Sequence, residues 1–154
     1  MINVLVLEDD ANDAILIQRA FTGPACCAAV CRNTSEARAY FLGSGMYADR
    51  GLFPFPEVFV TDLRLGEESG IKFLAWVRAF PRSKDLPVIV LSGAATPRDI
   101  LAVQRLRATR VLIKPVDSAA LQAVLVLACR ELCSNAGCYE TESEAAQSKV
   151  FADA

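Results

Sequence analysis

Short apolar runs alternate along the chain with stretches whose apolar residues recur at helical spacing, and this alternation predicts five strand-helix units. The segment from Asn3 to Leu7 reads as a strand buried on both faces, ending in Glu8-Asp9-Asp10. Ala14, Ile15, Ile17, Ala20 and Phe21 follow at helical spacing, and Thr22-Gly23-Pro24 supplies a stop. Ala25 to Cys31 is a weaker second strand, after which Thr34 or Ser35 can cap a helix running to about Leu42. The stretch from Gly43 to Pro56 holds three glycines and two prolines and marks a long connection. Val58 to Thr61 forms the third strand and delivers Asp62, and Ser69-Gly70 opens a helix through Phe73, Leu74, Trp76 and Val77 that Pro81 ends. Val88 to Leu91 is the clearest buried strand, and Thr96-Pro97-Arg98-Asp99 has the cap, first-turn proline and acid of a helix start. Arg110 to Ile113 is the fifth strand, Lys114-Pro115 breaks it, and Asp117 can cap a helix through Leu121, Val124, Leu125, Ala128 and Leu132.

Such an order implies an α/β, doubly wound parallel sheet, because right-handed crossover helices return each strand parallel to the last and cover both faces. Residues 1–133 are expected to form one domain, and residues 134–154, polar and without an apolar period, a flexible C-terminal tail. A chain of 154 residues, 53% of them hydrophobic, can fill such a core without disulfides.

Charge narrows the partners. Sixteen basic and 18 acidic residues leave a net charge of −2 without a basic stripe, so nucleic acid is not an expected partner. No apolar run reaches bilayer length and Met1-Ile2-Asn3-Val4 does not open a signal peptide, so the expectation is no membrane and a cytoplasmic location. The six cysteines form no CxxC pair; Cys26, Cys27 and Cys31 are expected to pack as small hydrophobes, while Cys129, Cys133 and Cys138 leave a redox or intermolecular role open. The absence of histidine removes Ser-His and Cys-His catalysis, so chemistry falls to carboxylates, hydroxyls and lysine.

In a doubly wound sheet the ligand site lies beyond the carboxyl ends of the strands. Four of the five strands end there in reactive groups: Glu8-Asp9-Asp10, Asp62, Ser92 and Lys114. Singly, each has an ordinary explanation. Acidic clusters cap helices, serines sit in turns, and lysines precede turn prolines. Together they are more specific. Asp9 and Asp10 facing Asp62 would form a patch of negative charge that repels itself unless a cation neutralises it, and Mg2+ suits one or two carboxylates completed by water. Asp62 is then a candidate nucleophile toward phosphorus, with Lys114 as the compact cation and Ser92 as a hydroxyl donor to the phosphoryl group.

The stretches Val4-Leu5-Val6-Leu7-Glu8-Asp9-Asp10, Val60-Thr61-Asp62-Leu63-Arg64-Leu65 with Ser69-Gly70, Val88-Ile89-Val90-Leu91-Ser92-Gly93 and Ile113-Lys114-Pro115 resemble bacterial response-regulator receiver domains over roughly Ile2 to Leu132. The resemblance implies a flavodoxin-like sheet of strand order 2-1-3-4-5. It implies that Asp9, Asp10, Asp62 and the backbone carbonyl of Arg64 hold Mg2+, and that Asp62 accepts phosphate from a sensor histidine kinase or phosphotransfer protein. Ser92 and Lys114 would contact the phosphoryl group, and Lys114-Pro115 would be cis. The chain would be a switch and not an enzyme, beyond slow Mg-dependent self-dephosphorylation. The connection from Phe80 to Pro87 and the 43–56 loop are similar to stand-alone regulators of the phytochrome-associated type.

Two departures stand out. The aromatic residue common three positions before the lysine is Val111, which removes a ring-flip readout, and the usual proline after the phosphorylated aspartate is Gly66, followed by Glu67-Glu68, so a more mobile, more acidic loop is expected. No output domain is expected, so output falls to a downstream protein target or a homodimer through the fourth helix, fifth strand and fifth helix, where Val126 and Leu127 extend the apolar surface. A phosphate-independent binding module of the same fold is the alternative. A phosphatase using a second aspartate is disfavoured, since Arg64 stands two residues after Asp62.

Overall fold

The computed structural model describes the backbone of residues 1–135 and the side chains of residues 1–130. Five parallel strands form the sheet: β1 (Ile2–Leu7), β2 (Cys26–Cys31), β3 (Val58–Asp62), β6 (Val88–Ser92) and β7 (Arg110–Ile113), in the order β2-β1-β3-β6-β7. Between β3 and β6 lies a separate two-stranded hairpin, β4 (Arg64–Leu65) with β5 (Glu68–Ser69). With that hairpin set aside, the sheet order is the flavodoxin-like 2-1-3-4-5. The helices are α1 (Ala11–Ala20), α2 (Thr34–Leu42), α3 (Gly70–Ala79), α4 (Pro97–Arg105) and α5 (Ser118–Asn135).

Every residue of β3 and β6 is buried, as their unbroken apolar runs require of central strands covered on both faces. One apolar cluster joins α2, α3 and α4 to the sheet through Phe41, Phe59, Phe73, Leu74 and Val103. The other joins α1 and α5 to the opposite face through Ile17, Phe21, Val60, Leu121 and Ala128. Parallel register sets the strand ends level: Leu7 lies beside Thr61, Asp62 beside Leu91, and Ser92 beside Ile113. The residues that follow these ends therefore share one edge of the sheet.

Local chemistry sets the helix starts, with one difference from expectation. Asn33, not Thr34 or Ser35, caps α2, its side chain accepting the Glu36 N–H at 2.8 Å. Thr96 and Asp99 form the expected reciprocal capping box of α4, and Asp117 accepts the Ala120 N–H at 2.7 Å at the start of α5. The 43–56 connection is ordered around a 3-10 turn at Gly45–Tyr47. Arg50 donates to the carbonyls of Phe41 and Phe53, and the rings of Tyr40, Tyr47 and Phe53 pack together.

Nor is the segment after Asp62 a loose loop. Gly66 takes a positive φ of 30° in the turn of the β4-β5 hairpin, which is also tied to α2 by a bidentate bridge from Arg38 to Glu68 at 2.9 and 2.8 Å. Cys31 is buried and Cys26 half-buried, but Cys27 is exposed, so it does not pack as a core hydrophobe. Cys129 is half-buried; the side chain of Cys133, the whole of Cys138 and most of the expected tail lie outside the described residues. Among the described residues no helix is long and apolar enough to cross a membrane.

Candidate phosphorylation site

At the carboxyl edge of the sheet, Lys114 reaches back from the end of β7. Its Nζ donates to Glu8 Oε2 at 2.7 Å, to Asp13 Oδ2 at 2.8 Å and to Asp62 Oδ2 at 2.8 Å. All three ammonium protons are thereby used. The Lys114-Pro115 bond is cis. Burial alone would lower the lysine pKa, but the bonds to Asp13, Asp62 and Glu8 outweigh it and hold the group above the ordinary lysine range. Glu8 is 1% exposed, and burial raises its pKa against the opposing pull of Lys114.

Asp62 is also buried, its second oxygen accepting the Arg64 N–H at 2.9 Å. The approach of α3 fixes its backbone. A Cβ at Gly70 would collide with the Asp62 carbonyl and come within 2.7 Å of Leu63 Cα. Glycine is needed here for close approach.

The acidic run after β1 divides its labour. Glu8 continues the sheet, its N–H donating to the Cys31 carbonyl, and its side chain turns inward to Lys114. Asp9 is exposed and stands near Gly66, while its carbonyl accepts Arg32 at 2.6 Å. Asp10, expected as a cation ligand, is the N-cap of α1: its Oδ1 accepts the Asn12 and Asp13 N–H groups, each at 2.9 Å, and that bonding lowers its pKa. Ser92 is wholly buried at the end of β6, and its Oγ accepts the Ala94 N–H at 3.4 Å. The structure thus joins Lys114 to Asp62 and adds Glu8, which the sequence offers only as part of the acidic run after the first strand, and Asp13, which the sequence does not single out. The signal for Glu8 lay in its neighbour: an aspartate just before Ala11 is a helix cap, which engages Asp10 with α1 and leaves Glu8 as the acid that turns inward to Lys114. Asp13 carries no comparable signal, being 101 residues from Lys114.

An open cleft of about 570 Å³ lies against this cluster, lined by Asp9, Arg64, Gly66, Glu67, Ser69 and Asp99 among others. Asp62, Ser92 and Lys114 are not among the residues that line it. Among the described residues, no three His, Cys, Asp or Glu side chains form a ready-made metal cage. A hard cation that takes one or two carboxylates and keeps its waters still fits the donor set, because three carboxylates here share one ammonium and negative charge is left over.

Fold and site together define a doubly wound α/β domain of the flavodoxin-like class, with carboxylates and a lysine gathered at the switch point. Within that class the chain belongs to the response regulator receiver domain family, whose model matches residues 4–126. It is 34% identical over 122 residues to the transcriptional regulatory protein FixJ of Azorhizobium caulinodans, covering 79% of this chain and 52% of that regulator. It is similar to the phosphorylated cyanobacterial phytochrome response regulator RcpA, at 27% identity and a TM-score of 0.69 over 81% of this chain and 89% of that one. The Mn2+-bound response regulator Rcp1 matches at 25% identity and a TM-score of 0.70, over 80% and 91% of the two chains. Receiver domains of this family are components of two-component signalling, where they act as phosphoacceptor switches rather than enzymes in their own right.

Proposed function

We propose that the chain is a phosphorylation-dependent switch in which Asp62 accepts a phosphoryl group from a sensor histidine kinase or phosphotransfer protein. The observation that carries this reading is the buried Asp62 carboxylate bonded to Lys114 beside an open acidic cleft. The Asp62 oxygen attacks phosphorus, the phosphorus–nitrogen bond to the donor histidine breaks, and an acyl phosphate forms. Lys114 then redirects an N–H hydrogen bond from the carboxylate to a phosphoryl oxygen, and Ser92 supplies a hydroxyl as the strand end adjusts.

Asp9, Asp62 and the Arg64 carbonyl would hold Mg2+, with Glu8 taking the place expected of Asp10, whose Oδ1 serves the helix. The ion would supply neutralising charge to the phosphoryl oxygens. That RcpA is described in phosphorylated form and Rcp1 with Mn2+ supports both parts of the reading. Autophosphorylated histidine kinase should transfer label to the wild type and not to Asp62→Asn, and hydroxylamine should release it. Equal labelling of Asp62→Asn would refute the assignment.

Output is proposed to pass through α4, β7 and α5, to a downstream protein or a second copy. Leu101, Ile113, Val126 and Leu127 are exposed apolar residues on these three elements. Val111, half-buried against the core, leaves this face without an aromatic that could flip, so the change is carried by Ser92, Lys114 and the backbone between them.

A further inference from the structure

Two of the three carboxylates on Lys114, Glu8 and Asp62, belong to the proposed cation site. The third does not. Asp13 lies in the first turn of α1, its side chain is 40% exposed against 1% for Glu8, and its own backbone N–H is bound by the Asp10 cap. We propose that Asp13 is a positioning residue that acts through Lys114: it shares the ammonium and so loosens the lysine's hold on Glu8 and Asp62, admitting a divalent cation. This rests on the reading of the site as a receiver phosphorylation centre.

The argument is one of competition. An ammonium and a divalent cation seek the same oxygens, and each N–H that Lys114 gives to Asp13 is one fewer held by Glu8 or Asp62. The placement of Asp13 suits the task. The capped helix start fixes its backbone, the positive end of the helix favours its charge, and its exposure leaves Lys114 free to pivot about it. With Asp13 neutralised, the ammonium's attraction falls entirely on the two buried carboxylates, and a cation must displace it from both. Asp13 also keeps a counter-charge beside Lys114 once the cation has drawn Glu8 away.

The test is Mn2+ binding, read from the electron paramagnetic resonance signal of the free ion, on wild type, Asp13→Asn, Lys114→Met and the double variant. Asp13→Asn should weaken Mn2+ binding by roughly five- to tenfold, the lower end of couplings between sites. In the Lys114→Met background the same substitution should change affinity by less than about twofold, since the coupling partner is gone. Equal weakening in both backgrounds would show that Asp13 acts as a plain negative charge near the ion, and no weakening in either would show that it does nothing; each overturns the inference. Lys114→Gln serves if Lys114→Met does not fold. Wild type that binds no Mn2+ at millimolar concentration would overturn the underlying reading of the site, and this inference with it.

Discussion

Lys114 shows how one residue can organise a site whose parts lie far apart in the chain. Its three carboxylate partners come from the end of β1, the first turn of α1 and the end of β3, and an ammonium with three donors bonds all of them at once. A second cation, Arg38, plays a structural part at the hairpin: it pairs with Glu68 and lies over the rings of Phe73 and Trp76 at 5.2 and 5.5 Å. The bond from Arg38 lowers the Glu68 pKa below its ordinary 4.5. An acid with a depressed folded pKa contributes stability above its unfolded pKa and loses it as pH falls through the folded one. Arg38→Met should therefore cost about 1 kcal/mol at neutral pH. In urea titrations the deficit against wild type should shrink once pH falls below about 4.5, leaving the part due to the lost ring contacts. A deficit constant from pH 7 to pH 3 would contradict the role of the ion pair.

At the scale of elements, the five strands and five helices were legible because a parallel sheet covered on both faces demands unbroken apolar strands and amphipathic crossovers, and the chain supplies them in strict alternation. The reversal of sheet order came only with the family resemblance, since residue pattern alone does not rank parallel strands. The β4-β5 hairpin was not legible: Gly66-Glu67-Glu68 looks like a loose polar loop, and its order comes from Arg38, which lies 30 residues from Glu68. Asp62, Ser92 and Lys114 could be picked out because strand ends announce themselves, whereas Glu8 depended on knowing that Asp10 was committed to α1. Gly70 illustrates an element constraining the site directly. Gly70→Ala should lower stability by about 1–3 kcal/mol in denaturant melts, because backbone must move to admit the methyl group. It should also slow phosphoryl labelling of Asp62, whose carbonyl is the first atom struck. Wild-type stability and labelling in this variant would mean that α3 can shift freely.

For the whole molecule, the proposed switch requires that charge added at one sheet edge reach a surface that partners can read. The apolar residues on α4, β7 and α5 offer such a surface, and β7 joins it to Lys114. Val126→Glu and Leu127→Glu leave the core residues Leu121, Val124, Leu125 and Ala128 in place, so the fold should persist with a change of less than about 0.5 kcal/mol. Light scattering and partner titration should then show loss of phosphorylation-dependent association; association unchanged in both variants would move the output face elsewhere.

The central claim is that Asp62 accepts phosphate with the help of a divalent cation. Intact-protein mass after treatment with acetyl phosphate tests it most directly, on wild type and Asp62→Asn, with and without Mg2+. The account predicts a gain of a single phosphoryl group by wild type that requires Mg2+ and disappears in Asp62→Asn. No gain under any condition would contradict it and favour a receiver fold that binds its partners without phosphate.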